Sequence, residues 1–102
     1  MESVNLVYPP RPQRDLLEFP RKIAEQIISD HDLLKVQPWP STKIKKLSGQ
    51  PYWEIKTGDY RSLFVFESHT VIFLRIVNRK DLEKAVRRID LKALRLWLLD
   101  KN

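Results

Sequence analysis

The sequence contains no cysteine and only two glycines among its 102 residues. The lack of cysteine excludes a disulfide framework, a zinc site built from thiolates and a cysteine nucleophile. No pattern of a glycine-rich phosphate loop or a nucleophile elbow occurs. No apolar run exceeds four residues, the length of Val71–Leu74. The first residues have neither a basic start nor a long apolar stretch. We therefore expect neither a membrane span nor an export signal, and we expect a cytoplasmic location.

Charge is distributed unevenly along the chain, whose formal net charge is +6. Residues 1–42 carry five Lys or Arg against six Asp or Glu, whereas residues 43–102 carry fourteen against seven. The net charges of the two parts are therefore −1 and +7. A basic C-terminal part indicates an anionic partner, either nucleic acid or an acidic protein. The alternative is a solvated basic surface that keeps a small domain soluble.

The N-terminal part predicts a short strand and two helices. Val4–Tyr8 is a β-branched and aromatic run that stops at two prolines, which is typical of a short strand. A first helix is expected up to about Phe19, and a second begins at Pro20. The apolar positions of the second helix recur with approximately helical spacing at Ile23, Ile27, Ile28, Leu33 and Leu34. The length predicts one domain over residues 1–102.

After a proline-rich loop at residues 38–41, the apolar period changes from about 3.6 to 2. This change predicts an antiparallel meander of three strands at Tyr52–Lys56, Tyr60–Phe66 and Val71–Val77. Asp81 and Asp90 are candidate N-caps, so residues 81–102 are expected to form a C-terminal helical extension. The predicted fold class is α+β, with two N-terminal helices packed on a small twisted antiparallel sheet, a C-terminal helix, and all helices on one face.

Four short motifs in this order are similar to the core pattern of the RelE/ParE toxin superfamily. They read K-L-x-G, W-E-[IL]-[RK], G-D-Y-R and R-K-D, and they occupy Lys46–Gly49, Trp53–Lys56, Gly58–Arg61 and Arg79–Asp81. Together they are fairly specific, although each alone is weak. The resemblance implies a toxin of a type II toxin–antitoxin system. In the ribonuclease members, the RNA 2′-hydroxyl attacks the adjacent phosphate while positive groups stabilise the developing charge, without a metal.

Carried over residue by residue, the resemblance implies catalytic roles for Arg61, Arg79 and Lys56, each at a basic position of a motif. Arginine suits this chemistry because its planar fork donates paired hydrogen bonds to a phosphate. The alternative for Arg61 is an ion pair with Asp59 or Glu54. Further RNA-binding candidates are four cations and one aromatic residue: Lys43, Lys45, Lys46, Arg75 and Tyr52. Trp53 shares a strand face with Ile55, which favours a core position instead.

The resemblance also leaves a choice of target. The tyrosine or histidine that many RelE-like nucleases carry shortly after R-K-D is replaced here by Leu82–Ala85. We expect a RelE-like mRNA endoribonuclease that inhibits translation. The replacement fits better the alternative, a ParE-like inhibitor that binds DNA gyrase without catalysis, and a third alternative is a non-toxic member that only binds a protein. We expect no metal and no cofactor, since His31 and His69 have no spaced partner and are interpreted as surface residues.

The last helix is apolar around much of its circumference, more than packing on one sheet face requires. Leu94, Trp97 and Leu98 are the candidate partner-binding residues. The family resemblance implies a cognate acidic antitoxin as the partner on this surface. Self-association as a homodimer through the same helix is the alternative. The expected partners are therefore the antitoxin, with mRNA and the ribosome, or DNA gyrase, as the target.

Overall fold

A computed structural model describes residues 3–101 of the chain. Within this range the chain forms four α-helices and five strands. In chain order these are β1 (Asn5–Val7), α1 (Pro10–Leu17), α2 (Arg21–His31), β2 (Ile44–Lys46), β3 (Trp53–Thr57), β4 (Tyr60–Glu67), β5 (Thr70–Asn78), α3 (Leu82–Arg87) and α4 (Leu91–Lys101). Two single 3₁₀ turns, Asp32–Lys35 and Arg79–Asp81, follow α2 and β5. The predicted α+β class is confirmed.

The five strands form one sheet in the order β1-β5-β4-β3-β2. Strands β3 to β5 form the predicted antiparallel meander, β2 adds an antiparallel strand beside β3, and β1 pairs with β5 in parallel. The sheet is therefore mixed, since β1 runs in the same direction as β3 and β5 and opposite to β2 and β4. Strand β2 was not predicted. Its three residues include Lys45 and Lys46, which are typical of a short edge strand that resists pairing with another sheet.

The helices cover both faces of the sheet, so the prediction of one covered face is wrong. On one face, Ile55 and Phe64 are buried, and Ile27 of α2 is buried as well. On the other face, Leu63 and Val77 pack with Ala85 of α3. The run Val71–Leu74 is buried without alternation, which is typical of a strand covered on both sides.

Helix α1 protects the edge of β5 beyond the point where β1 ends. Strand β1 pairs only with Thr70–Ile72. Asp15 of α1 accepts a hydrogen bond from the Ile76 amide at 2.9 Å and pairs with the Arg75 guanidinium through bonds of 2.9 and 3.3 Å. A buried carboxylate on α1 thus satisfies a backbone donor that an open sheet edge would leave unpaired.

His31 lies in the core, so its interpretation as a surface residue is wrong. Its ring has no exposed surface and stacks on Phe73 with a centroid distance of 4.1 Å. Its Nδ1 is 2.6 Å from the Tyr8 hydroxyl and its Nε2 is 2.8 Å from Ser62 Oγ. Burial lowers the pKa of His31 to about 4, although the charges of Asp30 and Asp32 oppose the shift. Burial, with a smaller contribution from Asp32, raises the pKa of Tyr8 to about 12.

Glycine stands at two turns of the chain, and one predicted helix cap is confirmed. Gly49 and Gly58 both have positive φ, at 72° and 55°, which glycine adopts without strain. Asp90 accepts a hydrogen bond from the Ala93 amide at 3.0 Å and so caps α4. The Asp81 side chain makes no capping bond. Asn78 instead accepts a bond from the Lys80 amide at 3.1 Å, because a 3₁₀ turn precedes α3.

Candidate functional site

Most of the predicted cations come together on one face of the sheet, the face that α3 covers in part. The cross-strand register forms two rows on this face: Lys45, Glu54, Leu63 and Arg75 in one, and Lys56, Arg61 and Val77 in the other. We call the surface formed by Lys45, Glu54, Lys56, Arg61 and Arg75 the basic face. Its side chains project from a hydrogen-bonded sheet, so their relative positions are well defined.

Arg61 is held firmly in the basic face. Its Nη1 donates to the carbonyl oxygens of Gly58 and Tyr60 at 2.8 and 2.9 Å. Its Nε lies 3.1 Å from Glu54 Oε2, and the Arg61 side chain is only 14% exposed. The sequence offers Asp59 or Glu54 as an ion-pair partner of Arg61, and the structure contains the pair with Glu54. Arg61 therefore has a structural role, whatever else it does.

Glu54 is a buried carboxylate at the centre of these cations. Its side chain is 3% exposed, and Oε1 lies 3.8 Å from the Lys45 ammonium. The Oε2 atom accepts no hydrogen bond among the described residues, since its approach to Arg61 Nε lacks hydrogen-bond geometry. The carboxylate is therefore balanced by charge rather than by directed hydrogen bonds.

Lys56 and Arg79 are the other two predicted catalytic residues. Lys56 is directly opposite Arg61 in the β3–β4 register, is half-buried, and has no ion pair within residues 3–101. Arg79 follows Asn78, the partner of Tyr60, so it lies at the same end of the sheet. Its side chain is 67% exposed and its Nε is 3.7 Å from Asp59 Oδ1, a distance at which a surface ion pair contributes little. The register thus brings all three residues to one end of the basic face.

The three predicted lysines around β2 separate onto different surfaces. Only Lys45 reaches the basic face. Lys46 is paired across from Trp53, whose ring packs against Phe64 on the α2 face. Lys43 Nζ donates to Asp30 of α2 at 2.8 Å. Lys43 thus helps to hold α2 against the sheet. Neither Lys43 nor Lys46 belongs to the basic face.

Asp30 explains why Lys43 is held on the α2 side. Burial raises the pKa of Asp30, but hydrogen bonds from Lys43 and Thr57 and the charge of Lys43 outweigh this effect. The pKa of Asp30 is consequently lowered below its ordinary value, and the carboxylate stays ionised and paired.

Tyr52 and Arg75 are less accessible for RNA contacts than the sequence predicted. Tyr52 is 7% exposed and packs with Leu63 and Leu74, so the prediction that its ring stacks on a base is wrong. Tyr52 belongs to the apolar cluster that also contains Ala85 of α3, so tertiary packing buries this ring. Arg75 makes the paired hydrogen bonds to Asp15 described above, which take up Nε and one terminal nitrogen. Trp53 packs against the core, as predicted.

Sequence reasoning missed Lys84 of α3 and Arg88, the residue that follows this helix. Lys84 and Arg88 line an open concavity of about 260 Å³ together with Arg75, Val77, Ala85 and Asp81. Their spacing of four residues puts both on one side of a helix, and this spacing was the available signal. They extend the positive surface from the basic face towards α3.

The predicted partner-binding residues of α4 border an apolar groove. Leu94 and Trp97 line a cavity of about 460 Å³ with Phe73, Leu74 and the prolines that begin α1, while Arg11, Arg14, Arg75 and Arg88 also contribute to its lining. Leu98 is half-buried, and Leu96 and Leu99 are 61% and 68% exposed. Helix α4 therefore buries one side and leaves leucines exposed on another.

Residues 3–101 contain neither a metal-binding cluster nor a membrane-spanning helix. No group of three His, Asp or Glu side chains is placed to hold a metal ion. No helix in this range has the length and apolar character needed to cross a membrane.

Comparisons with known proteins identify the fold. No protein-family model matches the chain, and no curated protein matches it. A RelBE toxin–antitoxin complex of Mycobacterium tuberculosis superposes with a TM-score of 0.64 and 25% identity, covering 78% of this chain and 94% of that one. A mutant of the Escherichia coli toxin RelE in the free state gives a TM-score of 0.67 and 19% identity, with 86% and 99% covered. A RelB–RelE antitoxin–toxin complex of Methanococcus jannaschii gives a TM-score of 0.55 at 23% identity, and the match covers 76% of this chain and 95% of that chain. The predicted resemblance to RelE-like toxins is confirmed.

Proposed function

We propose that this chain, which has the fold of the RelE toxins, is the toxin of a type II toxin–antitoxin pair and acts on messenger RNA in the cytoplasm. The observation that carries the proposal is the basic face: Lys56 and Arg61 are cross-strand partners and Arg79 lies at the same end of the sheet. Positive groups on a rigid sheet are suited to a polyanionic backbone.

In the proposed reaction, the 2′-oxygen of the RNA attacks the adjacent phosphorus and the bond from phosphorus to the 5′-oxygen breaks. The products are a 2′,3′-cyclic phosphate and a 5′-hydroxyl, and the proton lost by the 2′-hydroxyl is balanced by the one gained at the 5′-oxygen. Lys56, which has no ion pair within residues 3–101, and Arg79, whose ion pair with Asp59 is long and exposed, supply positive charge to the phosphate oxygens during this step. Arg61 contributes from its fixed position. No metal is required, because cationic side chains supply the stabilising charge.

The experiment is induction of the protein alone in bacteria, followed by mapping of the 5′ ends of cellular messages. The Lys56→Ala/Arg79→Ala double variant should lower the frequency of new ends within translated frames by about 100-fold. The matched control is Arg21→Ala/Lys22→Ala, which removes the same charges from exposed positions of α2. New ends that persist equally in both double variants would contradict the assignment of these residues.

A second function is favoured by a specific observation. Among residues 3–101, no imidazole and no accessible phenol lies on the basic face: His31, Tyr8 and Tyr60 are on the α2 side, His69 lies in the turn between β4 and β5, and Tyr52 is buried. A site without such groups is consistent with binding alone, as in a ParE-like inhibitor of DNA gyrase or a non-toxic protein-binding member. Growth arrest with gyrase inhibition and no new 5′ ends would establish the former. Unimpaired growth would favour the latter.

The proposed partner is a cognate acidic antitoxin that covers the groove beside α4. Leu94 and Trp97 offer apolar contacts there, the half-buried Leu98 follows them on α4, and the arginines around the groove offer complementary charge to an acidic chain. Where a small acidic reading frame adjoins the gene, co-expression with its product should yield a stable complex that Trp97→Glu weakens. A homodimer that survives in the absence of that partner, and that the same variant dissociates, would instead support self-association.

A further inference from the structure

Hydrogen bonds occupy two of the five N–H donors of Arg61, and the third donor, at Nε, lies against the Glu54 carboxylate in an ion pair. Nη1 uses both of its hydrogens on the carbonyl oxygens of Gly58 and Tyr60, and Nε faces Glu54. Nη2 carries the remaining two N–H groups, and no described group accepts from them. The guanidinium is therefore fixed along one edge and at one terminal nitrogen, while the other terminal nitrogen is uncommitted.

We propose that Glu54 is a positioning residue, which holds Arg61 so that Nη2 donates to a phosphate oxygen of the substrate. The inference rests on the proposed function, because it assumes an RNA backbone on the basic face. Glu54 does not touch the substrate. It acts through Arg61, on one side of the guanidinium, while the turn at Gly58 holds the other side.

The location of Glu54 supports this role because a carboxylate there is energetically unfavourable in two ways. Its side chain is 3% exposed and Oε2 lacks a hydrogen bond, so desolvation of the charge is only partly offset. Its negative charge also opposes an RNA backbone on the same face. Positioning compensates for both costs, because a guanidinium that is already oriented loses little freedom when it binds a phosphate.

Charge and positioning predict opposite effects, which makes the inference testable. Glu54→Gln removes the negative charge and keeps the shape of the side chain. If charge alone mattered, RNA would bind more tightly and be cleaved at least as fast. If Glu54 positions Arg61, single-stranded RNA should bind equally well or up to about fivefold more tightly, while the cleavage rate at saturating RNA falls about 10- to 100-fold.

The matched control is Glu83→Gln, which removes one negative charge from an exposed position on α3, where the side chain is 88% exposed. It should leave the rate at saturating RNA unchanged. Both variants are compared with the wild-type protein by filter binding of a single-stranded RNA and by single-turnover cleavage of a message, with and without ribosomes. An unchanged rate in Glu54→Gln, or an equal loss in both variants, would overturn the inference.

A second measurement separates this inference from the proposed function. In ¹⁵N NMR of the arginine side chains, Glu54→Gln should increase the mobility of the Arg61 Nε–H group, and RNA should shift that resonance in the wild-type protein only. If the wild-type protein cleaves no message but shows both effects, the nuclease proposal fails and the positioning of Arg61 stands. If mobility is the same in both proteins, or RNA leaves Arg61 unshifted, the positioning inference fails.

Discussion

The buried His31 predicts a loss of stability in mildly acidic solution. Its ring has no exposed surface and lies between Tyr8 and Ser62. A neutral imidazole satisfies this site, since one ring nitrogen accepts and the other donates. Protonation would place a charge in the core against Phe73, which is why burial lowers the pKa of His31 to about 4.

The sign of the effect follows from the two protonation states. An unfolded histidine has a pKa of about 6.5, so between pH 6.5 and 4 the unfolded chain binds a proton that the folded protein excludes. The contribution of His31 is therefore fully present above pH 6.5 and is lost as the pH falls through this window. Linkage gives a decrease in the free energy of unfolding of about 2 kcal/mol between pH 7 and pH 5.

Urea unfolding at pH 7, 6 and 5 measures this decrease, and His31→Gln is the control because it removes the titrating group while keeping polar atoms near Tyr8 and Ser62. The variant is less stable at pH 7 but should lose much less stability towards pH 5. Asp30 does not contribute in this pH range, because its pKa is lowered and the stability that its ionised form provides is lost only at more acidic pH. An equal decrease in both proteins would refute the reasoning, as would an NMR titration of His31 with a midpoint near 6.5.

Two further predictions concern stability. Arg61→Ala should lower the free energy of unfolding by about 3 to 5 kcal/mol, because Glu54 is then buried without its close cation. The double variant Arg61→Ala/Glu54→Gln should recover a large part of that loss, because no buried charge remains. If Arg61→Ala lowers the free energy of unfolding equally with Glu54 and with Gln at position 54, the two residues are not coupled. Ser68 has φ of 49° in the β4–β5 turn, a conformation that asparagine tolerates better. Ser68→Asn should therefore raise the free energy of unfolding by about 0.5 kcal/mol, and a lower thermal midpoint than that of the wild-type protein would argue against this.

Much of the fold could be predicted because it depends on local patterns. The alternation in Tyr60–Phe66 and the turn glycine Gly58 predict a hairpin without knowledge of the rest of the chain. The N-cap at Asp90 was found for the same reason, since its partner is three residues away. Strand β2 was missed because three residues rich in lysine carry too little pattern to distinguish an edge strand from a loop.

The candidate site was predictable only in its location. Motif order indicated Lys56, Arg61 and Arg79, and the register brings them to one end of the sheet. Which cations are committed to ion pairs depends on contacts distant in sequence. Arg75 meets Asp15 sixty positions away, and Lys43 meets Asp30 of another element. No local pattern contains that information.

By itself, the sequence determined the α+β class, the meander with its turns, the excess of positive charge in the C-terminal part and the resemblance to RelE-like toxins. These properties follow from residue periodicity, turn chemistry and motif order, which are local. Only the tertiary structure decided that helices cover both faces, that Tyr52 and His31 are buried, and that Glu54 and Arg61 form a pair within the basic face. Burial and charge pairing arise where distant segments meet, so they depend on packing that no single segment encodes.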